Sequence, residues 1–166
     1  MEDRLIVRAA VTDDVGPLAG ILNEIIQVGG TTALETPLSQ AEFTRYFLHG
    51  PDFLTCYVAQ GSATRLLVGF QALARHPDLP ERWADIATFA RMNPKLPGVG
   101  TALFAVTRMK ARKLGLIAIN AAIRADNRSG LAFYEKMGFR TYRTLHAIPL
   151  KNGMPIDRVL KRFDVG

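Results

Sequence analysis

Apolar and polar residues alternate from Leu5 to Ala9, which predicts a first strand. The period then changes. Val15, Leu18, Leu22, Ile25 and Ile26 recur at helical spacing, with Thr12 as the expected N-cap, Asp13 and Asp14 in the first turn, and Gly29-Gly30 as the stop. Ser39 and Glu42 have capping-box spacing ahead of Phe43, Tyr46 and Phe47, so a second helix is expected to end at Gly50-Pro51. Phe53–Gln60 and Leu66–Ala74 are β-rich runs around a short turn at Gly61-Ser62 and predict an antiparallel hairpin. After the proline-broken loop His76–Pro80, Ala84–Arg91 alternates as a further strand. Gly98-Val99-Gly100 opens a helix whose predicted buried face is Val99, Ala102, Leu103, Val106 and Met109. Leu116–Ile123 is nearly continuous and apolar, the pattern of a strand covered on both sides. A short helix from Ser129 to Lys136 is stopped by Gly138, and two last runs, Phe139–Leu150 and Met154–Phe163, flank the hairpin signal Asn152-Gly153.

The predicted order is β-α-α-β-β-β-α-β-α-β-β, an α/β (α+β) chain with a mixed sheet and helices on both faces. The strand Ala84–Arg91, its glycine turn, the next helix and Leu116–Ile123 make a right-handed parallel crossover. At 166 residues with no linker or repeat, residues 1–166 are expected to form one domain. Hydrophobic residues at 48% suffice for a full core, and charged residues at 22% argue against disorder. Cys56 stands alone, which suits a reducing compartment. The acidic start Met1-Glu2-Asp3-Arg4 is not a signal peptide, and the most apolar stretch is too short to cross a bilayer. A cytoplasmic protein without membrane contact is therefore expected.

A net charge of +6 raises the question of nucleic acid. The basic residues are scattered, however, and the densest group (Arg108, Lys110, Arg112, Lys113) falls late in a predicted helix, where cations complement the dipole. No aromatic-plus-basic recognition motif accompanies them, so no nucleic-acid partner is expected. His49, His76 and His146 show no ligand spacing, and no metal is assigned.

The chemistry is concentrated in two places. Lys95-Leu96-Pro97-Gly98-Val99-Gly100-Thr101 joins a strand end to a helix start, where free N–H groups and the helix dipole favour an anion, usually phosphate. Leu103 breaks the dinucleotide fingerprint, and no Walker spacing follows. By itself this turn reads more readily as a tight entry to a helix. The second place is Asn127-Arg128-Ser129-Gly130-Leu131-Ala132-Phe133-Tyr134-Glu135-Lys136-Met137-Gly138-Phe139, a polar turn followed by a short helix bearing a tyrosine near its end.

Together and in this order, these segments resemble the GNAT superfamily of acyl-CoA-dependent N-acetyltransferases. Lys95-x-x-Gly98-x-Gly100 is similar to the family's Q/R-x-x-G-x-G/A motif, and Asn127, Tyr134 and Gly138-Phe139 match its later asparagine, tyrosine and Gly-Phe ending. The resemblance covers nearly the whole chain. It implies a mostly antiparallel seven-stranded sheet, with acetyl-CoA slotted between the fourth and fifth strands. Backbone groups of Ala90, Arg91 and Met92 would hold the pantetheine arm and thioester. The turn of Lys95, Pro97, Gly98, Val99, Gly100 and Thr101 would take the pyrophosphate, and Asn127, Gly130 and Phe133 would complete the cofactor site. Lys95 replaces the usual glutamine or arginine, and Pro97 removes a donor from a shortened loop.

The reaction so implied is direct attack of a small-molecule primary amine on acetyl-CoA, with Tyr134 supplying a proton to the leaving thiolate. Many relatives carry a glutamate on the fourth strand, where this chain has Ala87 and Thr88; Asp85 is the strand's one carboxylate, read here as facing outward. No base is assigned. For the acceptor, Glu24, Thr31, Thr32 and Glu35 are candidates, and the run Gly29–Pro37 is loosely similar to acetyltransferases of phosphinothricin and methionine sulfoximine. Edge strands and the C-terminal hairpin leave surfaces suited to a homodimer. The competing reading is a non-catalytic acyl-CoA-binding or regulatory module of the same fold.

Overall fold

The computed structural model describes residues 3–166; Met1 and Glu2, half of the acidic start, lie outside the described residues. In chain order the elements are β1 (Leu5–Ala9), α1 (Val15–Val28), α2 (Gln40–Phe47), β2 (Phe53–Gly61), β3 (Leu67–Ala74), β4 (Trp83–Ala90), α3 (Val99–Lys113), β5 (Ala118–Arg124), α4 (Arg128–Lys136), β6 (Arg140–Pro149) and β7 (Pro155–Asp164). They match the predicted order. The seven strands form one sheet, β1-β2-β3-β4-β5-β7-β6, in which β4–β5 is parallel and every other pair antiparallel.

Each face has its own core. Leu18, Leu22 and Ile25 of α1 and Phe43 and Phe47 of α2 pack on Val58, Phe70 and Phe89. On the other face, Leu103 of α3 packs on Ala59 and Val68, while Phe104 and Tyr134 join Ile86, Ile119 and Phe139. Ser39 and Glu42 close the predicted capping box at α2. Gly153 takes the positive φ, 84°, that the β6–β7 turn requires.

Three local expectations are corrected. Thr12 does not cap α1: Thr12–Asp14 form a 3-10 turn, and the Asp14 carboxylate accepts the Val11 N–H at 2.8 Å while gripping Arg8. An ionised carboxylate satisfies that donor better than a hydroxyl, and Arg8 on β1 anchors it. Met109 is 62% exposed; Phe104, Thr107 and Ala111 take the buried positions with Val99 and Leu103, because α3 rests on β2 and β3 and its Phe104 ring packs against Phe139 and Phe163. Finally, β5 begins at Ala118 and has a helix on one face only. On the other, Ala122 is exposed and Asn120 is covered by side chains, since α1 and α2 pack over β2, β3 and β4.

Candidate active site

Asn127 caps α4 by accepting the Gly130 N–H at 3.0 Å, and a Cβ on Gly130 would collide with the Asn127 amide. The polar turn is thus locally determined. It hangs from the end of β5, where the sheet opens. β4 and β5 pair only at Trp83↔Ala118, Ala84↔Ile119 and Asp85↔Asn120; beyond that third rung their C-terminal halves diverge. A split of this kind leaves strand-edge N–H and C=O groups facing a gap instead of a partner. The Arg91 N–H is spent on Val68 O at 2.7 Å, so it is not free to hold a ligand, contrary to the expectation for residues 90–92. The alternation of the antiparallel ladder turns the neighbouring groups of Thr88 and Ala90 toward the gap.

The start of α3 stands beside this opening. Gly98 adopts the left-handed conformation, φ 80°, and no side chain caps the helix. The first intrahelical bond runs from Ala102 N to Gly98 O, leaving the N–H groups of Val99, Gly100 and Thr101 unpaired within the helix. Val99 contributes backbone only, its side chain being buried beneath. Gly100 is needed for packing: a Cβ there would lie 2.5 Å from the Phe133 ring, so α4 sits directly on the first turn of α3. Lys95, Pro97 and Thr101 are exposed around the same turn. This is a backbone cradle for an anion, with the helix dipole behind it.

Tyr134 is buried on the α3/α4 face, its ring edge-on to both Phe133 and Phe139. Its hydroxyl lies 2.9 Å from Thr88 Oγ1, which accepts from Gln71 Nε2 at 2.9 Å; Gln71 and Thr88 are opposite one another in the β3–β4 ladder. Burial pushes the phenol well above its usual range, the Asp85 charge adds to this, and the Thr88 hydrogen bond opposes it. The group remains a protonated donor at any physiological pH.

Asp85 does not face outward. It is half-buried on the α1/α2 face, and Asn120 Nδ2 donates to its Oδ1 at 2.9 Å. Tyr142 on β6 donates to Asn120 Oδ1 and stacks edge-on against Trp83, which carries Arg162 4.7 Å above its ring. Burial raises the Asp85 carboxyl above the ordinary carboxylate range; the Asn120 bond and the nearby His76 only partly oppose it.

The segment between α1 and α2 forms a roof. Asn127 Nδ2 donates to Thr31 O, Arg124 Nη1 donates to Thr32 O, and the Lys151 N–H in the β6–β7 turn donates to Glu35. Arg124 is itself locked to Asp126. A cavity of about 500 Å³ is walled by this segment itself, through Leu34, Glu35 and Pro37 among others, together with Glu42 and Tyr46 of α2 and Lys151. Of the acceptor candidates, Glu35 lines that cavity, Thr31 and Thr32 are held outside it by the bonds from Asn127 and Arg124 to their carbonyls, and Glu24 stands exposed on α1 and outside it as well.

No protein-family model matches the chain, and no curated protein matches it in sequence. Its shape is widely shared. A GNAT superfamily phosphinothricin acetyltransferase from Sinorhizobium meliloti, solved with acetyl-CoA, superposes with a TM-score of 0.85 at 20% identity over 98% of this chain and 89% of that one. An N-acetyltransferase from Staphylococcus aureus gives 0.84 at 17% identity, covering 98% and 99%. A ribosomal-protein-alanine N-acetyltransferase from Brucella melitensis gives 0.83 at 19% identity, covering 96% and 99%. The chain has the GNAT fold. Two of these names record an acceptor, phosphinothricin in one and a ribosomal-protein alanine in the other, so shape alone selects none.

Among residues that the sequence reading left without a role, the structure adds Gln71 and Thr88 behind Tyr134, Asn120 and Tyr142 behind Asp85, and Arg124 and Lys151 under the roof. Asn120 alone left a trace, as a single amide inside an apolar run.

Proposed function

We propose that this protein is an N-acetyltransferase that moves the acetyl group of acetyl-CoA to the primary amine of a small, amino-acid-like molecule. One observation carries the reading: a parallel strand pair that opens after three rungs, beside an uncapped helix start and a buried phenol. The free N–H groups of Val99, Gly100 and Thr101 suit a pyrophosphate, and the unpaired edges of β4 and β5 suit the amide-bearing arm of acetyl-CoA. Both neighbours and motif agree with that donor. Lys95 adds charge at the rim of the cradle. The acceptor enters beside the roof, where Glu35 lines the cavity. A cytoplasmic setting and a homodimer belong to the same proposal.

Acetyl-CoA supplies an activated acyl group with a thiolate leaving group, and the protein organises its transfer. An alkyl amine with a lysine-like pKa is neutral in roughly one part in two thousand at pH 7, so a proton acceptor is required. The backbone N–H of Ala90, which faces the gap by strand alternation, suits the oxyanion. Gln71 donates to Thr88; with the Thr88 hydroxyl donating onward to Tyr134, the phenol hydrogen is free for the departing sulfur. Because burial raises the phenol, Tyr134 stabilises that sulfur chiefly as a hydrogen-bond donor, and the proton is replaced from solvent.

The reading is tested by melting the protein with acetyl-CoA and then measuring thiol release across a panel of amines that includes L-phosphinothricin. Cofactor at a hundred times its dissociation constant should add about 2.7 kcal/mol, a melting shift of several degrees. No shift at millimolar acetyl-CoA would overturn both acyl-CoA readings. A shift without thiol release from any amine would select the non-catalytic module.

A further inference from the structure

The transferase reading leaves open what the acceptor carries besides its amine. We propose that Arg158 on β7 binds an anionic group of the acceptor, so that the substrate is an amine bearing a carboxylate. The inference rests on the transferase reading and narrows its substrate class.

Position is the first argument. Strand alternation puts Asn120, Ala122 and Arg124 of β5 on the α1/α2 face, and beyond the Asp85↔Asn120 rung the last two border the open gap. α1 and α2 pack over β2, β3 and β4, which leaves this face of β5 and β7 without a helix. In the β5–β7 ladder Arg158 stands directly opposite Arg124, and Leu160 opposite Ala122, so both share the uncovered face. Neighbouring strands lie about 4.8 Å apart, well within the reach of an arginine side chain. Ala122 is exposed, and its methyl group leaves the floor between the gap and Arg158 low. An amine held at the gap thus lies one strand away from a guanidinium.

Charge is the second. Like charges directly opposite one another destabilise a sheet. The two arginines meet this unequally. Arg124 is neutralised, by two bonds to Asp126 at 3.0 and 2.8 Å, and it donates a third to Thr32 O. Arg158 is half-buried, and among the described residues its side chain has no hydrogen-bond or ion-pair partner. The surrounding carboxylates are engaged elsewhere. Asp126 holds Arg124, Asp164 holds Arg140 and Arg162, Asp157 accepts the Ala147 N–H, and Glu35 accepts the Lys151 N–H. Arg143, opposite Leu160 on β6, adds a second cation to the face, also unpaired among the described residues.

The ligand that best completes such a place is a planar carboxylate, which takes two guanidinium N–H groups at once and offsets the repulsion between the facing arginines. Arg158 forms no bond to the reacting atoms. Its contribution is to hold the acceptor with the amine at the gap, and its loss should therefore appear in the acceptor KM and not in kcat.

The test measures thiol release from acetyl-CoA with a panel of L-amino acids that includes L-phosphinothricin, each against its own α-carboxamide. An α-amino group beside an amide carbonyl ionises near pH 8, so the carboxamide is the more readily neutral nucleophile and a preference for the acid reports the anion site. In the wild type kcat/KM should favour the acid about tenfold or more. Arg158→Gln should remove that preference by raising KM for the acid roughly ten- to hundredfold, with kcat and the melting shift given by acetyl-CoA unchanged. Arg158→Lys should keep part of the preference, and it carries the comparison if the glutamine variant does not fold. A wild type that favours the carboxamides, or uses only amines without a carboxylate, would overturn the assignment while leaving the transferase reading intact. So would an Arg158→Gln enzyme that keeps the preference, or one that loses acid and carboxamide alike. If acetyl-CoA raises the melting temperature and no amine of either kind releases thiol, the transferase reading falls and Arg158 falls with it.

Discussion

Two aspartates of this fold, Asp14 buried and Asp85 half-buried, are treated in opposite ways. Asp14, where β1 turns into α1, receives two guanidinium bonds from Arg8 at 2.8 and 2.9 Å and the Val11 N–H at 2.8 Å. Its carboxyl is held below the usual range, first by the Arg8 hydrogen bonds, then by the Val11 N–H. Asp85, at the floor of the split, has one amide and no cation in hydrogen-bond contact, and burial drives its carboxyl upward. A carboxylate that exists to hold structure is saturated with donors. One that is left short of them costs stability as an anion and keeps its basicity.

That contrast is broken most directly by exchanging each aspartate for asparagine. If denaturant unfolding showed Asp14→Asn to be no more damaging than Asp85→Asn, the division between the two residues would be wrong.

Asp14→Asn should cost about 2–3 kcal/mol in denaturant unfolding, less than a fully buried pair because the Arg8 side chain is 34% exposed and keeps some of its water. The native carboxyl is depressed, so its stabilisation is complete above the unfolded carboxylate value near pH 4 and is lost as pH falls through the native one. The gap between wild type and variant should therefore be flat around neutrality and close in acid.

Next in size, Tyr134→Phe should lower kcat by about tenfold while acetyl-CoA still raises the melting temperature as in the wild type, because the lost hydroxyl serves the sulfur and not the cradle. An unchanged kcat with chemistry rate-limiting would remove that role. Smallest is the stability effect of Asp85→Asn. The native carboxyl is raised, so its burial begins to penalise the fold as pH rises above the unfolded carboxylate value near pH 4 and does so fully above the raised one. The variant should melt slightly higher at pH 7, by on the order of 1 kcal/mol or less, and equal the wild type in acid.

Much of the candidate site's local geometry was readable in advance because its signals are local. Gly98, Gly100, Asn127, Gly130 and Tyr134 occupy two short segments, and helix entry, capping and close packing between adjacent turns dictate each of them. Asp85 was misplaced for the converse reason. Its partner Asn120 is 35 positions away, and Tyr142, which orients that partner, comes from a strand two places further across the sheet. Alternation along β4 put Trp83, Asp85, Ala87 and Phe89 on one face without revealing that α1 and α2 cover only part of it. The Thr12 error is of the same kind: Arg8 lies on the preceding strand, and only the packed turn makes Asp14 the better cap.

Hydrophobic period, caps and glycine turns thus determined the order of elements, the parallel crossover and the uncapped helix start, since each depends on residues within a few positions of one another. Tertiary structure alone decided where β4 and β5 part, which carboxylate lies at that point and which donors it lacks. Those properties arise from strand register and desolvation, and both are set by partners distant in the chain.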